Sequence, residues 1–209
     1  MRLMEEAKND AELVLLFQQG QEWAFEELFQ RYKQAAMRSA FLLTGNYFDA
    51  ENVLQEAFIK CYQKLAGLRK PECFKAWFWR ILTHTAWAYC KKRDRETPIA
   101  AIFEEYSAGL PNEGRSKSAL EYLTENEEQQ ILQAAIKRLP LKQKTVIVLY
   151  YYNEMSVQEI AQATGSLCGT VKSRLFTARR NLAVFLQERE ADKNEKEQNV
   201  GLREFGKRN

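Results

Sequence analysis

Histidine occurs once, at His84, and the four cysteines, Cys61, Cys73, Cys90 and Cys168, are widely spaced. Zinc sites need paired Cys or His ligands at short spacing, so no metal centre is expected. The same spacing leaves no disulfide framework, and a reducing compartment is the default. Cys61 falls on an apolar helix face, where it serves as a small hydrophobe. Proline is scarce, at four in 209 residues, and the nine glycines punctuate the chain without dominating it. No alternating apolar and polar pattern persists, so strands are not expected. Apolar runs stay short, the stretch from Thr145 to Tyr152 being the longest of note, and none approaches membrane-spanning length. The first eight residues lack the apolar core of a signal peptide. Acidic residues scatter at helical surface spacing, so with one histidine there is no catalytic carboxylate or nucleophile set. These absences lead to one expectation: a cytoplasmic helical protein, not an enzyme, with no cofactor and no small-molecule substrate.

Helical periodicity accounts for what is present. Four helices are expected in a first block: from about Ala11 to Gln19, Glu22 to Leu43, Asp49 as N-cap to about Leu65, and Glu72 to Arg93. Gly20, Gly45 and Gly67 end the first three. From Asp94 to Ser118, Pro98, Gly109, Pro111 and Gly114 break the pattern and mark a linker. A second block holds a helix ending near Leu139, another opened by Pro140, and a helix-turn-helix. The fold class is therefore all-α: two small helical domains joined by a flexible linker, the second a helix-turn-helix. The boundaries read 1–95, linker 96–118, 119–188, and a charged tail 189–209 expected to be frayed or disordered.

The net charge of +3 says little, but its distribution says more. Basic residues gather at Lys91 to Arg95 and at Lys172 to Arg180. Ser156 and Glu159 form a capping box that starts a short helix, and Gly165 ends it. In the next helix Val171, Leu175, Ala178 and Leu182 form one apolar stripe. Ser173, Phe176, Thr177 and Arg180 point away from that stripe, flanked by Lys172, Arg174 and Arg179. Four cations and no acid between Gly169 and Leu182 suit a helix lying in a major groove, touching phosphates from its flanks and bases from its outer side. The competing account is an ordinary solvated basic helix. The capped helix and glycine turn upstream, and the large apolar Phe176 among arginines, weigh against it.

The fourth helix carries a second unusual surface. With Phe78 inward, Arg80, His84, Trp87 and Lys91 share the opposite side, with Trp79 at its edge. Rings and cations together suit a single strand, whose bases stack and whose phosphates meet positive charge. The alternative is that the tryptophans pack on a neighbouring helix or on the linker. Along the third helix Glu51, Asn52, Gln55, Glu56 and Tyr62 make a polar outer face, either simply solvated or a dock for a basic partner.

Three segments in order resemble the extracytoplasmic-function sigma factors of bacterial RNA polymerase, over nearly the whole chain. Asp49-Ala-Glu-Asn-Val-Leu-Gln-Glu-Ala-Phe is similar to that family's polymerase-binding segment. Phe74-Lys-Ala-Trp-Phe-Trp-Arg-Ile-Leu, running into Lys91-Lys-Arg, is similar to its promoter-melting helix. Ser156 to Arg180 is similar to its −35 reader. The resemblance implies an alternative sigma factor that binds core polymerase, at the beta-prime clamp helices and the beta subunit, through Asp49, Glu51, Asn52, Gln55, Glu56 and Tyr62. It implies capture of the −10 non-template strand by Trp77, Trp79, Arg80, His84, Trp87, Lys91 and Lys92. It implies −35 reading by Thr170, Lys172, Ser173, Arg174, Phe176, Thr177, Arg179 and Arg180. Promoter DNA and an anti-sigma factor, often membrane-bound, are the further partners it implies. The chain departs from the family pattern at Asn52, His84, Ala88, Thr177 and Ser166-Leu-Cys, which bears on the promoter sequence read. A rival reading is a two-domain helix-turn-helix regulator that does not bind the polymerase core.

Overall fold

The computed structural model describes residues 8–96 and 127–205, and no strand occurs among them. The first group of helices is α1 (Asp10–Gln18), α2 (Trp23–Thr44), α3 (Tyr47–Leu65) and α4 (Phe74–Glu96), the last entered through a 3-10 turn at Pro71–Cys73. The second is α5 (Glu127–Arg138), α6 (Leu141–Ile147), α7 (Val157–Thr164) and α8 (Cys168–Phe205), with a π-helical turn at Val148–Tyr152 after α6. The expected linker, 96–118, falls almost wholly on residues outside the described ones.

Local sequence sets most helix ends. Asn9 caps α1 in a reciprocal box with Glu12. Gly45 closes α2 at φ 84°, a left-handed conformation that residues with a Cβ adopt at a cost. Helix α3 begins earlier than expected. Its cap is Asn46, not Asp49: the Asn46 backbone is extended and its side-chain oxygen accepts from Asp49 N at 2.7 Å. Asp49 sits instead in the first turn, where a carboxylate complements the helix dipole. The tail also differs from expectation, because α8 continues past Gln187 to Phe205. Glu, Lys, Gln and Ala dominate residues 187–198, and these side chains cost a helix little.

Aromatic rings hold the first domain together. Phe78 is fully buried on the inner side of α4, with ring centroids 5.0 Å from Phe58 of α3 and 5.1 Å from Tyr32 of α2. Phe29 meets Phe58 at 4.7 Å, and Tyr32 meets Phe74 at 5.4 Å. Such tilted and edge-on pairs add to the burial term because ring edges and faces carry opposite partial charge. Tyr32 also donates its hydroxyl hydrogen to Asp10, fixing α1 on α2.

In the second domain Ile136, Leu139, Val146, Leu149, Met155, Ile160, Val171 and Leu175 form the buried layer. The two domains are in contact: α4 lies along α7, and α2 touches α5, α6 and the π-helical turn. Truncation of Phe78 to alanine is expected to cost about 3–5 kcal/mol of unfolding free energy, since a fully packed ring leaves a cavity that three helices cannot all close. Denaturant-induced unfolding followed by far-ultraviolet circular dichroism measures it.

Candidate functional site

Three surfaces carry the residues singled out by the sequence. On α3, Gln55 and Tyr62 are exposed, while Glu51, Asn52 and Glu56 are half-buried. Glu56 pairs with Lys60 one turn on and lies beside the Tyr89 hydroxyl of α4. Tyr62 has a packing role as well, its ring standing 5.0 Å from Phe25 and 5.4 Å from Phe17. Asp49 is tied down further: it accepts from Asn46 Nδ2 at 2.6 Å and from Arg93 Nη1 at 3.3 Å. Arg93 donates to Thr44 O at 2.8 Å as well, so the end of α4 is anchored at the start of α3.

On α4, the outward face is only partly open. Arg80, His84, Lys91 and Lys92 are exposed, Trp77 and Trp87 are half-buried, and Trp79 is in the core at 1% exposure. The placement of Trp79 at the edge of the outer face is therefore corrected. One position after Phe78, it turns inward and packs 5.5 Å from that ring and 6.4 Å from Tyr32, because α2 wraps that side of α4. The expectation of a free Trp87 is corrected too. Trp87 Nε1 donates to Thr145 Oγ1 of α6 at 2.9 Å, and Lys142 Nζ lies 3.0 Å from its ring centroid. Arg80 Nη1 reaches Gln162 O of α7 at 3.4 Å, and His84 stacks at 4.8 Å on Trp87. The packing alternative weighed for the tryptophans thus holds for Trp79 and describes Trp87 in this arrangement.

On α8, the apolar stripe is buried at Val171, Leu175 and Ala178 and half-buried at Leu182. Lys172, Ser173 and Arg180 are exposed, and Phe176 is 69% exposed. Thr170, Arg174 and Thr177 are half-buried, and Arg174 donates to Ser166 Oγ at 2.9 Å across the turn. Upstream, Ser156 and Glu159 form the capping box, and Gly165 takes φ 62° to reverse the chain. Arg179 is exposed but committed: it donates to the Tyr151 hydroxyl at 2.8 Å with its guanidinium over Tyr150 and Tyr151. Four of its five N–H groups remain for other acceptors.

Sequence reasoning missed the residues joining the domains, chiefly Ser39, Lys142, Thr145 and Asn153. Asn153 Nδ2 donates to Ser39 Oγ at 2.9 Å, both groups being buried. The available signal was the polar pair Thr145 and Asn153 bracketing the apolar run, since a polar group there is buried with a partner or not buried at all. Nearby, Arg38, Leu132, Ile136, Ile147, Tyr151, Leu182 and Leu186 line a groove of about 730 Å³ between α2, α5 and α8.

Residues 28–96 match the family model for sigma-70 region 2, and residues 129–182 match that for sigma-70 region 4. The ECF RNA polymerase sigma-E factor of Escherichia coli K12 is 34% identical over 181 residues, 84% of this chain and 93% of that protein. The chain belongs to the extracytoplasmic-function sigma factors. RNA polymerase sigma factor SigV of Bacillus subtilis is 30% identical over 151 residues, 70% of this chain and 81% of its own length. Among solved structures, CnrH in complex with the cytosolic domain of CnrY covers 86% of this chain and 97% of its own, at 22% identity and TM-score 0.62. The sigma factor RpoE of Bartonella quintana, in complex with the anti-sigma factor NepR, covers 78% and 96%, at 23% identity and TM-score 0.61. The rival regulator reading is set aside by the region 2 match, which spans α3 and α4.

In this sigma factor the charges acting on His84 are both positive. Burial, then Arg80 and Lys142, push the His84 imidazolium below its ordinary value of 6.5. Burial and then Arg174 lower Lys142 in the same way. A depressed His84 favours the arrangement in which the ring is neutral. That contribution is fully present above about 6.5 and is lost as pH falls through the depressed value. Because the chain has one histidine, its ring resonance is unambiguous in a proton NMR titration. The midpoint is expected below 6.5.

Proposed function

We propose that this protein is an alternative sigma factor which binds core RNA polymerase and directs promoter-specific initiation of transcription. Family membership supports this, and the observation that carries it is the pairing of a region 2 domain with a region 4 helix-turn-helix in one chain. We assign the outer face of α3, centred on Gln55 and Glu56, to the polymerase beta-prime clamp helices. Asn52 and Glu51 flank it. Asp49 and Tyr62 act there mainly by holding α3 in place, given their bonds to Arg93 and to the Phe17 and Phe25 rings.

The −10 strand is assigned to α4. Trp87 and His84 offer rings for stacking, and Arg80, Lys91 and Lys92 offer cations for phosphates. Trp77 borders this face. Trp79 contributes through the core that positions it. The −35 element is assigned to α8. Lys172 serves phosphates from the flank. Ser173, Phe176 and Arg180 face the bases, and the half-buried Thr170, Arg174 and Thr177 border them. We also infer an anti-sigma factor as partner, since the structurally similar sigma factor RpoE is recorded in complex with the anti-sigma factor NepR. The expected setting is the cytoplasm, at the membrane whenever that partner is membrane-bound. We read residues 1–95 and 119–188 as the two functional units, 96–118 as the link between them and 189–209 as a charged tail.

Two experiments test these assignments. Replacing Gln55 and Glu56 together with alanine is expected to weaken core polymerase binding about ten-fold or more, a loss of roughly 1.4 kcal/mol. Thermal unfolding should hardly change, because both side chains lie outside the core. Fluorescence anisotropy against purified core measures the first, and unchanged affinity in the folded variant removes the assignment.

A base-substitution scan of the −35 element separates readout from charge. Lys172→Ala is expected to weaken binding to all sequences and to reduce the salt slope by about one. Arg180→Ala is expected to relax preference at one or two base pairs, worth roughly 1–3 kcal/mol each. The reverse pattern would mean that α8 is rotated in the groove relative to this assignment.

A further inference from the structure

The outermost row of α8 runs through Gly169, Ser173, Phe176 and Arg180, opposite the buried Val171, Leu175 and Ala178. All four are exposed. Side-chain length rises along this row: no side chain, a hydroxymethyl, a ring, then a guanidinium on a long stem.

Nothing within the described residues requires glycine at 169. Gly20, Gly45 and Gly165 take positive φ, which a Cβ resists. Gly169 does not. It is an ordinary residue of the first turn of α8, which opens where Val171 N donates to the Leu167 carbonyl at 3.0 Å. Among the described residues, no neighbouring group comes within 4 Å of where its Cβ would stand. Glycine also weakens the turn, since it forms helix less well than alanine. The cap position forgoes a second gain. Leu167 there cannot accept from the free N–H groups, and its side chain is 79% exposed. Local preferences set aside with no return inside the fold point to a surface shaped for a partner.

We propose that Gly169 is a close-approach position, which lets the first turn of α8 lie directly against the base edges of the −35 major groove. The helix is inclined, and Ser173, Phe176 and Arg180 bridge a gap that widens toward its far end. This rests on the reading of α8 as the −35 helix. The first residues of a recognition helix enter the groove foremost. The Ser173 hydroxyl lies one atom beyond its Cβ, so it meets a base only if the backbone is already close. A methyl group at 169 holds that turn away from the bases and withdraws Ser173 with it. Gly169 therefore acts as a positioning residue, which sets how deep the reading side chains sit.

Gly169→Ala tests this in the full-length chain, with and without core polymerase. The free variant is expected to melt at the wild-type temperature or a few degrees above it, because alanine fits the helix and stiffens the unfolded chain. The assembled variant is measured on a promoter duplex that the wild type selects from a pool randomised at −35, and on the same duplex with that element scrambled. Affinity for the selected duplex is expected to fall about ten-fold or more, with affinity for the scrambled one unchanged. In a base-substitution scan, Gly169→Ala and Ser173→Ala should flatten preference at one end of the element and Arg180→Ala at the other. Wild-type discrimination in Gly169→Ala overturns the proposal. A lower melting temperature does so too, because the glycine then serves the fold. Loss at the same base pairs in all three variants overturns the inclination of the helix. If Arg180→Ala also keeps wild-type discrimination, the assignment of α8 to the −35 element falls with it.

Discussion

The packing of α4 through Phe74, Phe78 and Trp79 is the constraint on which the remaining surfaces depend. These rings lock the helix against Tyr32 of α2 and Phe58 of α3. Once they are inside, the rotation of α4 is fixed, and Arg80, His84 and Trp87 must face outward. A helix with a thinner apolar side could roll and bury one ring in place of another. Here the inner side is so bulky that no other rotation fills the same space. The outer face therefore needs no contacts of its own to be held in position, and it is free to exchange one partner for another.

The second domain repeats this logic with smaller parts. Val171, Leu175 and Ala178 set the rotation of α8, and Gly165 sets its angle to α7. The π-helical turn at Val148–Tyr152 adds a residue to the local ladder, and Asn153 Nδ2 satisfies the Val148 carbonyl there. Tyr150 and Tyr151 then stand beside Arg179. The tyrosine turn thus steadies the middle of the recognition helix from behind, while Arg174 steadies its first turns through Ser166.

The all-helical fold, the helix order and the recognition-helix stripe were legible because each rests on local signals: periodicity, capping boxes and glycine stops. Asp49 was misplaced as a cap because Asn46, three residues earlier, offers the same chemistry and the sequence does not rank the two. Trp79 was misread because the position after Phe78 lies at the boundary of the helical stripe, and only the reach of α2 around α4 decides its side. Extension of α8 beyond Gln187 was missed because charge was read as disorder, although Glu, Lys and Gln are also good helix formers. The domain contact was the least legible part. It joins residues such as Ser39 and Asn153 that are 114 positions apart, and no local pattern encodes such a pairing.

The Arg93–Asp49 pair makes two surfaces share a single oxygen. Asp49 Oδ2 accepts from Asn46 and from Arg93, so it helps to hold both the opening turn of α3 and the basic end of α4. A cation arriving at the start of α3 competes with Arg93 for that oxygen, and an anion arriving at the end of α4 competes with Asp49 for Arg93. Each event lowers the cost of the other, since the bond between the two residues is broken only once. Occupancy at one end of this bond is thus positively linked to occupancy at the other, and by reciprocity the linkage has the same size in both directions.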